Sequence, residues 1–275
     1  MRSSRRVTAV RYLVLTVLAL LFLLPFYVLL RNGFSSDRLL ASAQWRWWPD
    51  QLNADNLREL FANDSVRMAR SLGNSAVVAL VQTLATVVIS ALAGYGLARI
   101  DSRFNRLVLG ATVLTLMVPA AVTFIPSFVL VSTLGWISTL RGLIIPVLFS
   151  AFATFLFRQY FLGFPHELEE AAYLDGAGYW RTFWRVVMPN SAGICAAVGT
   201  ITFIGSWNAF LWPLLIGQDR DFRTVQVALS QFLSSQRVDV PQLFVGAAVA
   251  ILPVLLVFLF LQRYLVQGVE RSGID

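Results

Sequence analysis

The 275 residues are 57% apolar before glycine is counted and only 13% charged, against roughly 45–50% apolar with glycine and about 25% charged in soluble domains. So little charge cannot cover a water-facing surface, and a mean hydropathy of +0.68 carried by long charge-free runs describes an integral membrane protein. All 22 basic residues are Arg, beside one Cys and one His; this excludes a phosphate-binding lysine loop, a Schiff-base lysine, a disulfide framework and a Cys/His metal cluster.

Six charge-free runs approach the ~17–25 residues needed to span a bilayer. The first is Tyr12–Leu30, flanked by Arg11 and Arg31, and the second is Ser75–Leu97, ended by Arg99. The third lies within Leu107–Leu140, 34 residues without a charge. We place its span at 107–132 and an outer turn around Gly135. The fourth, Gly142–Phe157, has only 16 uncharged residues; spanning at 142–158 requires tilt, a thinned bilayer or a snorkelling Arg158. The fifth lies within Asn190–Gln218, at 192–216, and the sixth is Val240–Gln262, at 242–262. The expectation is therefore an all-α, six-helix membrane bundle forming a single domain over 1–275.

Orientation follows from short basic segments. The first eleven residues hold Arg2, Arg5, Arg6 and Arg11, and 99–106 holds Arg99, Arg103 and Arg106. With Arg263 and Arg271, they place both termini in the cytoplasm by the positive-inside rule. The net charge of +7 thus reads as interfacial anchoring and not as a nucleic-acid footprint. Ala41-Ser42-Ala43 resembles a signal-peptidase site, but the preceding run exceeds a 7–15-residue signal core, which favours an uncleaved span. Outside the membrane, Arg31–Asn74 carries Trp45, Trp47, Trp48 and Pro49, read as anchors at headgroup depth over a sugar-stacking shelf.

None of the six runs contains an ionisable residue, which an ion-coupled carrier or intramembrane hydrolase would place there. Gln82, Thr83, Thr86, Ser90, Thr112, Thr115, Thr123, Ser206 and Asn208 supply the polarity. Such groups join helices or line a passage for a neutral solute; helix contacts are favoured for the Thr and Ser positions. Asn208, next to Trp207 and five residues before Pro213, is the stronger path residue. Cys195 and His166 fall at different depths, so a membrane enzyme built on them is disfavoured and no catalytic or metal residue is assigned.

Between the fourth and fifth runs, residues 164–189 carry a distinct pattern. Pro165 with Glu167, Glu169 and Glu170 suits a helix start, and Gly176 suits a left-handed helix stop. A second short helix carries Tyr179, Trp180, Phe183, Trp184 and Val187 on one stripe, with Arg181 and Arg185 elsewhere and Pro189 closing the segment. Ala171 and Ala172 leave a shallow face for a partner. An amphipathic hairpin lying on the membrane without a partner has the same composition.

The spacing Glu170-Ala171-Ala172, three residues, Gly176, nine residues, Val186, one residue, Met188-Pro189 resembles the EAA loop of ABC importer permeases, E-A-A-x3-G-x9-I-x-L-P. Val186 and Met188 are conservative departures, and a later proline common in the family is replaced near Gly193. Asn74-Ser75, the Gly94–Arg99 run, Phe157–Phe161 and Trp207-Asn208 are similar to the carbohydrate-uptake branch, typified by the smaller maltose permease subunit.

The resemblance implies a binding-protein-dependent sugar permease of the bacterial cell membrane that pairs as a heterodimer with a homologous second permease. Its EAA coupling helix would sit in a cleft of a cytoplasmic ATPase dimer, which uses ATP and Mg; this chain would bind no cofactor. Glu170, Ala171, Ala172, Asp175, Gly176 and Pro189 would then make the coupling contact. Tyr179, Trp180, Phe183 and Trp184 would hold the loop to the core or seat it in the cleft. An extracytoplasmic solute-binding protein would dock outside, with Asp219–Pro241 either its contact or a solvated connector. Trp207 and Asn208 would border the path of a disaccharide, amino sugar or glycerol phosphate. The alternative is a stand-alone secondary carrier for a neutral polar solute.

Overall fold

The computed structural model describes residues 5–42, 44–234 and 237–270. Arg2, Arg271 and Ala43, used above for orientation and for the A-x-A run, lie outside them. Among the described residues, three helices are long and apolar enough to cross a membrane alone, and three bent pairs raise the number to at most six if each pair is one span. By contacts the chain divides into two compact units, Met1–Ala69 with Ala228–Leu252, and Arg70–Val227 with Pro253–Asp275.

In the first unit, α1 (Arg5–Gly33) is apolar on every side and carries Arg31 in its last turn. Its spanning window is 0% buried, so lipid or another subunit must cover it. The polypeptide leaves α1 through α2 (Asp37–Leu40) and α3 (Asp55–Ala62). There the Asn56 amide donates to the carbonyls of Gly33 (2.8 Å) and Ser35 (3.1 Å), pairing acceptors left open where α1 ends. Exposed Trp45, Trp47 and Trp48 form a ring cluster with half-buried Tyr27, and the Arg31 guanidinium lies 4.9 Å from the Trp45 centroid.

The second unit begins in α4 (Met68–Arg99), the longest helix, whose inner residues Ala91 and Tyr95 are buried. The third span is two helices, α5 (Asn105–Met117) and α6 (Ala120–Thr133), bent by 99°. The expected single span over 107–132 breaks because Pro119 removes a donor and forces Val118 to extended backbone (ψ 117°). A turn does fall at Gly135, which takes φ +66°. The fourth span is also divided, into α7 (Leu140–Ile144) with a 3-10 turn at Ile145–Val147 that contains Pro146, and α8 (Ala151–Leu162), bent by 45° across the break at 148–150. Carbonyls freed by that break are paired from α4: Gln82 Nε2 donates to Leu143 O and Thr86 Oγ1 to Leu148 O, each at 3.0 Å. Within hydrocarbon such pairing is what makes a broken helix tolerable.

Beyond α8 come α9 (His166–Leu174), α10 (Tyr179–Thr182), a π turn at Phe183–Val187 and α11 (Met188–Asn190). The fifth span is α12 (Ala192–Trp207), and α13 (Leu211–Ile216) follows a three-residue break. The break precedes Pro213 by four residues because the proline ring clashes with the carbonyl at that distance, that of Ala209. After α13, α14 (Val225–Ser230) leads to a two-residue antiparallel pairing of β1 (Leu233–Ser234) with β2 (Arg237–Val238), then to α15 (Val240–Glu270). That hairpin is the one departure from an all-α fold among the described residues. The 219–225 stretch is not a loose connector: Asn74 Nδ2 donates to the carbonyls of Asp221 (2.8 Å) and Arg223 (2.9 Å), and the Val225 amide donates to Ser75 Oγ (2.8 Å).

The main core of the second unit joins α4, α8, the 164–189 loop and α12 through Ala91, Tyr95, Phe157, Phe161, Phe164, Phe183, Val187 and Val198. Gly94 permits it. A Cβ there would fall 2.7 Å from Phe157 Cβ and 2.8 Å from the Arg158 nitrogen, so α4 and α8 meet backbone to side chain.

Candidate coupling site

Residues 164–189 fold as two short helices around a glycine turn. Pro165 stands at the N-cap of α9 with Glu167 and Glu169 in the first turn, where the helix dipole favours negative charge. At the other end Gly176 adopts φ +78°, and the Ala177 amide reaches back to Ala172 O at 2.9 Å, a left-handed C-terminal stop. The second helix winds into a π turn, with the Met188 amide donating to Phe183 O. Pro189 brings no donor to this turn, and neighbouring side chains take up carbonyls there. Asn190 Nδ2 donates to Val186 O and Ser191 Oγ to Val187 O, both at 2.7 Å. The segment then meets α12 at 78°.

One side of this loop is fastened to the membrane helices. Phe164, Phe183 and Val187 are buried in the main core, with the Phe183 ring centroid 5.1 Å from that of Tyr95. Glu169 points inward to a polar clasp. Arg99 Nε, at the end of α4, donates to Glu169 Oε1 at 2.8 Å, and the two side chains are 5% and 4% exposed. Tyr95 Oη donates to Glu169 Oε2 at 3.0 Å. The other Arg99 nitrogens meet the Phe164 carbonyl and, at 2.6 Å, His166 Nε2. Each end of the pair is thus charge-compensated and hydrogen-bonded, as a buried ion pair requires.

The other side faces outward. Glu170, Ala171, Asp175 and Gly176 are exposed and Ala172 is half-buried. Leu174 is 91% and Trp180 67% exposed, flanked by exposed Tyr173, Tyr179 and Trp184. The rings of Tyr173 and Tyr179 meet edge to face at 5.6 Å, as do Trp180 and Trp184 at 5.7 Å. Burial raises the Tyr173 phenol above its ordinary value, so it stays a hydrogen-bond donor at neutral pH. The expected stripe therefore divides: Phe183 holds the loop to the core, while Tyr179, Trp180 and Trp184 are left for something else to cover. An exposed apolar patch of this kind marks an interaction surface.

The sequence singled out Glu170 and passed over Glu169, Arg99 and Tyr95 as a group. A signal existed: Tyr95 and Arg99 are four apart on one face of α4, and Glu169 and Tyr173 are four apart on α9.

A second feature of the same unit is a cavity of about 500 Å³ lined by Gln82, Thr86, Ser150, Thr202, Ser206 and Trp212 among others. Ser206 Oγ is buried there without a hydrogen-bond partner. Trp207 and Asn208, expected at a solute path, do not line it. Trp207 is buried and stacked on Phe203 at 5.8 Å, and Asn208 is exposed and accepts from Gln226 Nε2 at 3.2 Å. Cys195 packs against the main core while His166 lies exposed at the clasp.

A multi-pass helical membrane protein, with one loop anchored inward and offering an apolar face outward, has the architecture of a transport permease subunit. Residues 67–271 match the family model described as the binding-protein-dependent transport system inner membrane component; the chain belongs to that family and is a multi-pass inner membrane protein. It is 37% identical over 218 residues to the lactose transport system permease protein LacG of Rhizobium radiobacter, covering 79% of each chain. It is 33% identical to the arabinooligosaccharides transport system permease protein AraQ of Bacillus subtilis (strain 168), covering 94% of this chain and 92% of that one. It is 34% identical to the sn-glycerol-3-phosphate transport system permease protein UgpE of Pectobacterium atrosepticum, covering 94% of each. The fold matches, with a TM-score of 0.81 and 22% identity over 96% of this chain and 98% of the other, a crystal structure of a bacterial ABC transporter involved in the import of the acidic polysaccharide alginate.

Proposed function

We infer that this chain is the membrane permease subunit of an ATP-driven ABC importer for a sugar or sugar-like solute, of the size of a disaccharide, amino sugar or glycerol phosphate. An extracytoplasmic binding protein delivers the solute, a homologous second permease completes the passage as a heterodimer, and a cytoplasmic ATPase dimer consumes ATP with Mg. Both termini and the 164–189 loop face the cytoplasm. Names of relatives that carry lactose, arabinooligosaccharides and glycerol phosphate support the solute class. Membership of a binding-protein-dependent family argues against the stand-alone carrier.

The observation that carries the coupling role is the two-sidedness of the loop. Its inner side is clasped through Arg99 and Glu169, while Glu170, Leu174, Tyr179 and Trp180 are exposed. Glu170 makes the polar contact with the ATPase, and Ala171 and Ala172 set a close approach. Asp175 and Gly176 shape the bend, and Pro189 ends the lever. Nucleotide-driven movement of such a rigid element biases a two-state bundle. The solute runs past the polar cavity wall of Gln82 and Ser206, with Trp207 and Asn208 supporting it from behind and from the helix end.

The test is solute-stimulated ATP hydrolysis and uptake by the reconstituted complex. Glu170→Arg and Gly176→Pro leave membrane insertion intact and abolish both activities. Unchanged transport in both variants, or ion-driven uptake by this chain alone, overturns the reading.

A further inference from the structure

At the end of α4 that holds the clasp, a cavity of about 580 Å³ opens between α4, α5 and α8, lined by Asp101, Arg103, Asn105, Arg106 and Arg158 over Leu97 and Leu109. Three guanidinium groups meet one carboxylate there, and no ion pair joins them among the described residues. Arg158 Nε is buried with no hydrogen-bond partner, a state that costs free energy unless an acceptor arrives. The first turn of α5 contributes to the same wall. It has no acidic residue, so nothing there offsets the positive end of the helix dipole, which adds to the charge of the arginines.

The cavity continues into an apolar groove of about 330 Å³ that shares Leu97 and Asn105 with it and runs past Gly96, Val108, Thr112 and Phe149. Phe104 and Leu107 beside it are exposed. A cationic cup with an aliphatic channel attached fits a molecule with an anionic head and a hydrocarbon tail. We propose that this is a binding site for an anionic phospholipid, its phosphodiester held by Arg103, Arg106 and Arg158 and an acyl chain laid in the groove. Basic pockets between membrane helices near the cytoplasmic surface hold such headgroups, and the bidentate guanidinium fork suits phosphate oxygens. The apolar groove selects a lipid over a free phosphate ion, which has no use for it.

The full chain, purified in detergent and stripped of lipid, is titrated with dioleoylphosphatidylglycerol, dioleoylphosphatidylcholine or inorganic phosphate and examined by native mass spectrometry. Phosphatidylglycerol is expected to be retained at least about tenfold over phosphatidylcholine. Each arginine near an anionic lipid contributes about a fivefold factor, so Arg106→Gln with Arg158→Gln lowers retention by more than about tenfold. Gly96→Leu fills the groove without altering charge. A Cβ at Gly96 meets nothing within 4 Å, so the new side chain starts in open space; the variant is expected to keep a monodisperse size-exclusion peak and to lose phosphatidylglycerol. Equal retention of the two lipids, retention unchanged in Gly96→Leu, or saturation by inorganic phosphate alone overturns the proposal. Micelles have no sidedness, so the outcome is independent of the coupling-loop reading.

Discussion

Glu169→Gln tests whether the coupling loop is held by its clasp or only by its aromatic anchors. The substitution keeps the shape and an acceptor for Tyr95 Oη but removes the charge facing Arg99, whose side chain is 5% exposed. Breaking one partner of a buried pair costs about 3–5 kcal/mol. The lower end applies here, because Arg99 keeps the Phe164 carbonyl and His166. About 3 kcal/mol moves the docked-to-released equilibrium of the loop roughly a hundredfold. The neighbouring Glu170→Gln touches an exposed side chain and changes stability by no more than about 0.5 kcal/mol. Hydrogen exchange of the amides in 166–177, measured in the detergent-solubilised protein, reads this opening directly. The expectation is exchange roughly a hundredfold faster in Glu169→Gln and unchanged in Glu170→Gln, whereas solute-stimulated ATP hydrolysis falls in both. Equal exchange in the two variants would refute the clasp as the element that fixes the loop.

Three other outcomes follow from the geometry. Gly94→Leu drives side-chain atoms into the Phe157–Arg158 contact and is expected to collapse the monodisperse peak in size-exclusion chromatography. Gly110→Ala, with open space around its Cβ position, leaves that peak intact. Gln82→Leu strands the Leu143 carbonyl at the α7 break; the orphaned acceptor costs about 1–3 kcal/mol, seen as a lower melting temperature that Gln82→Asn does not restore. Leu174→Ala combined with Trp180→Ala removes exposed apolar surface and leaves the melting temperature of this chain unchanged. It weakens association with the ATPase subunit by about 2 kcal/mol or more, read by affinity pull-down of the assembled complex.

That the chain would fold into up to six long apolar helical segments was legible because a bilayer demands long uncharged runs, and composition records that demand directly. The glycine stop at Gly176 was legible for a similarly local reason: a positive φ is cheap for glycine alone. Breaks inside the spans were half legible. The 34-residue run of Leu107–Leu140 is too long for one straight helix, but its length does not say where it turns; Pro119 does, through its effect on Val118. Pro213 acts four residues upstream of itself, which puts the interruption at Asn208–Phe210 and Trp207 in the core. Pairings at long separation left no local trace. Arg99 meets Glu169 across 70 positions and Gln82 meets Leu143 across 61, and each required the fold to bring an ordinary-looking polar residue to its partner.

The clasp and the broken spans together explain how a chain with no ionisable residue inside its six apolar runs can still be mechanically specific. A charged pair inside the hydrocarbon carries a heavy desolvation penalty. Here the buried pair sits at the end of α4, where the Phe164 carbonyl and the Tyr95 and His166 side chains supply further hydrogen-bonding groups. Deeper in the bundle, neutral amide and hydroxyl donors suffice, because each has one freed carbonyl to serve. A push on α9 therefore reaches α4 through a short, stiff contact at Arg99 and reaches α8 and α12 through Phe161, Phe183 and Val187. The break after Pro146 is likewise tied to α4, through Gln82 and Thr86, so displacement of α4 is passed on to the interrupted fourth segment.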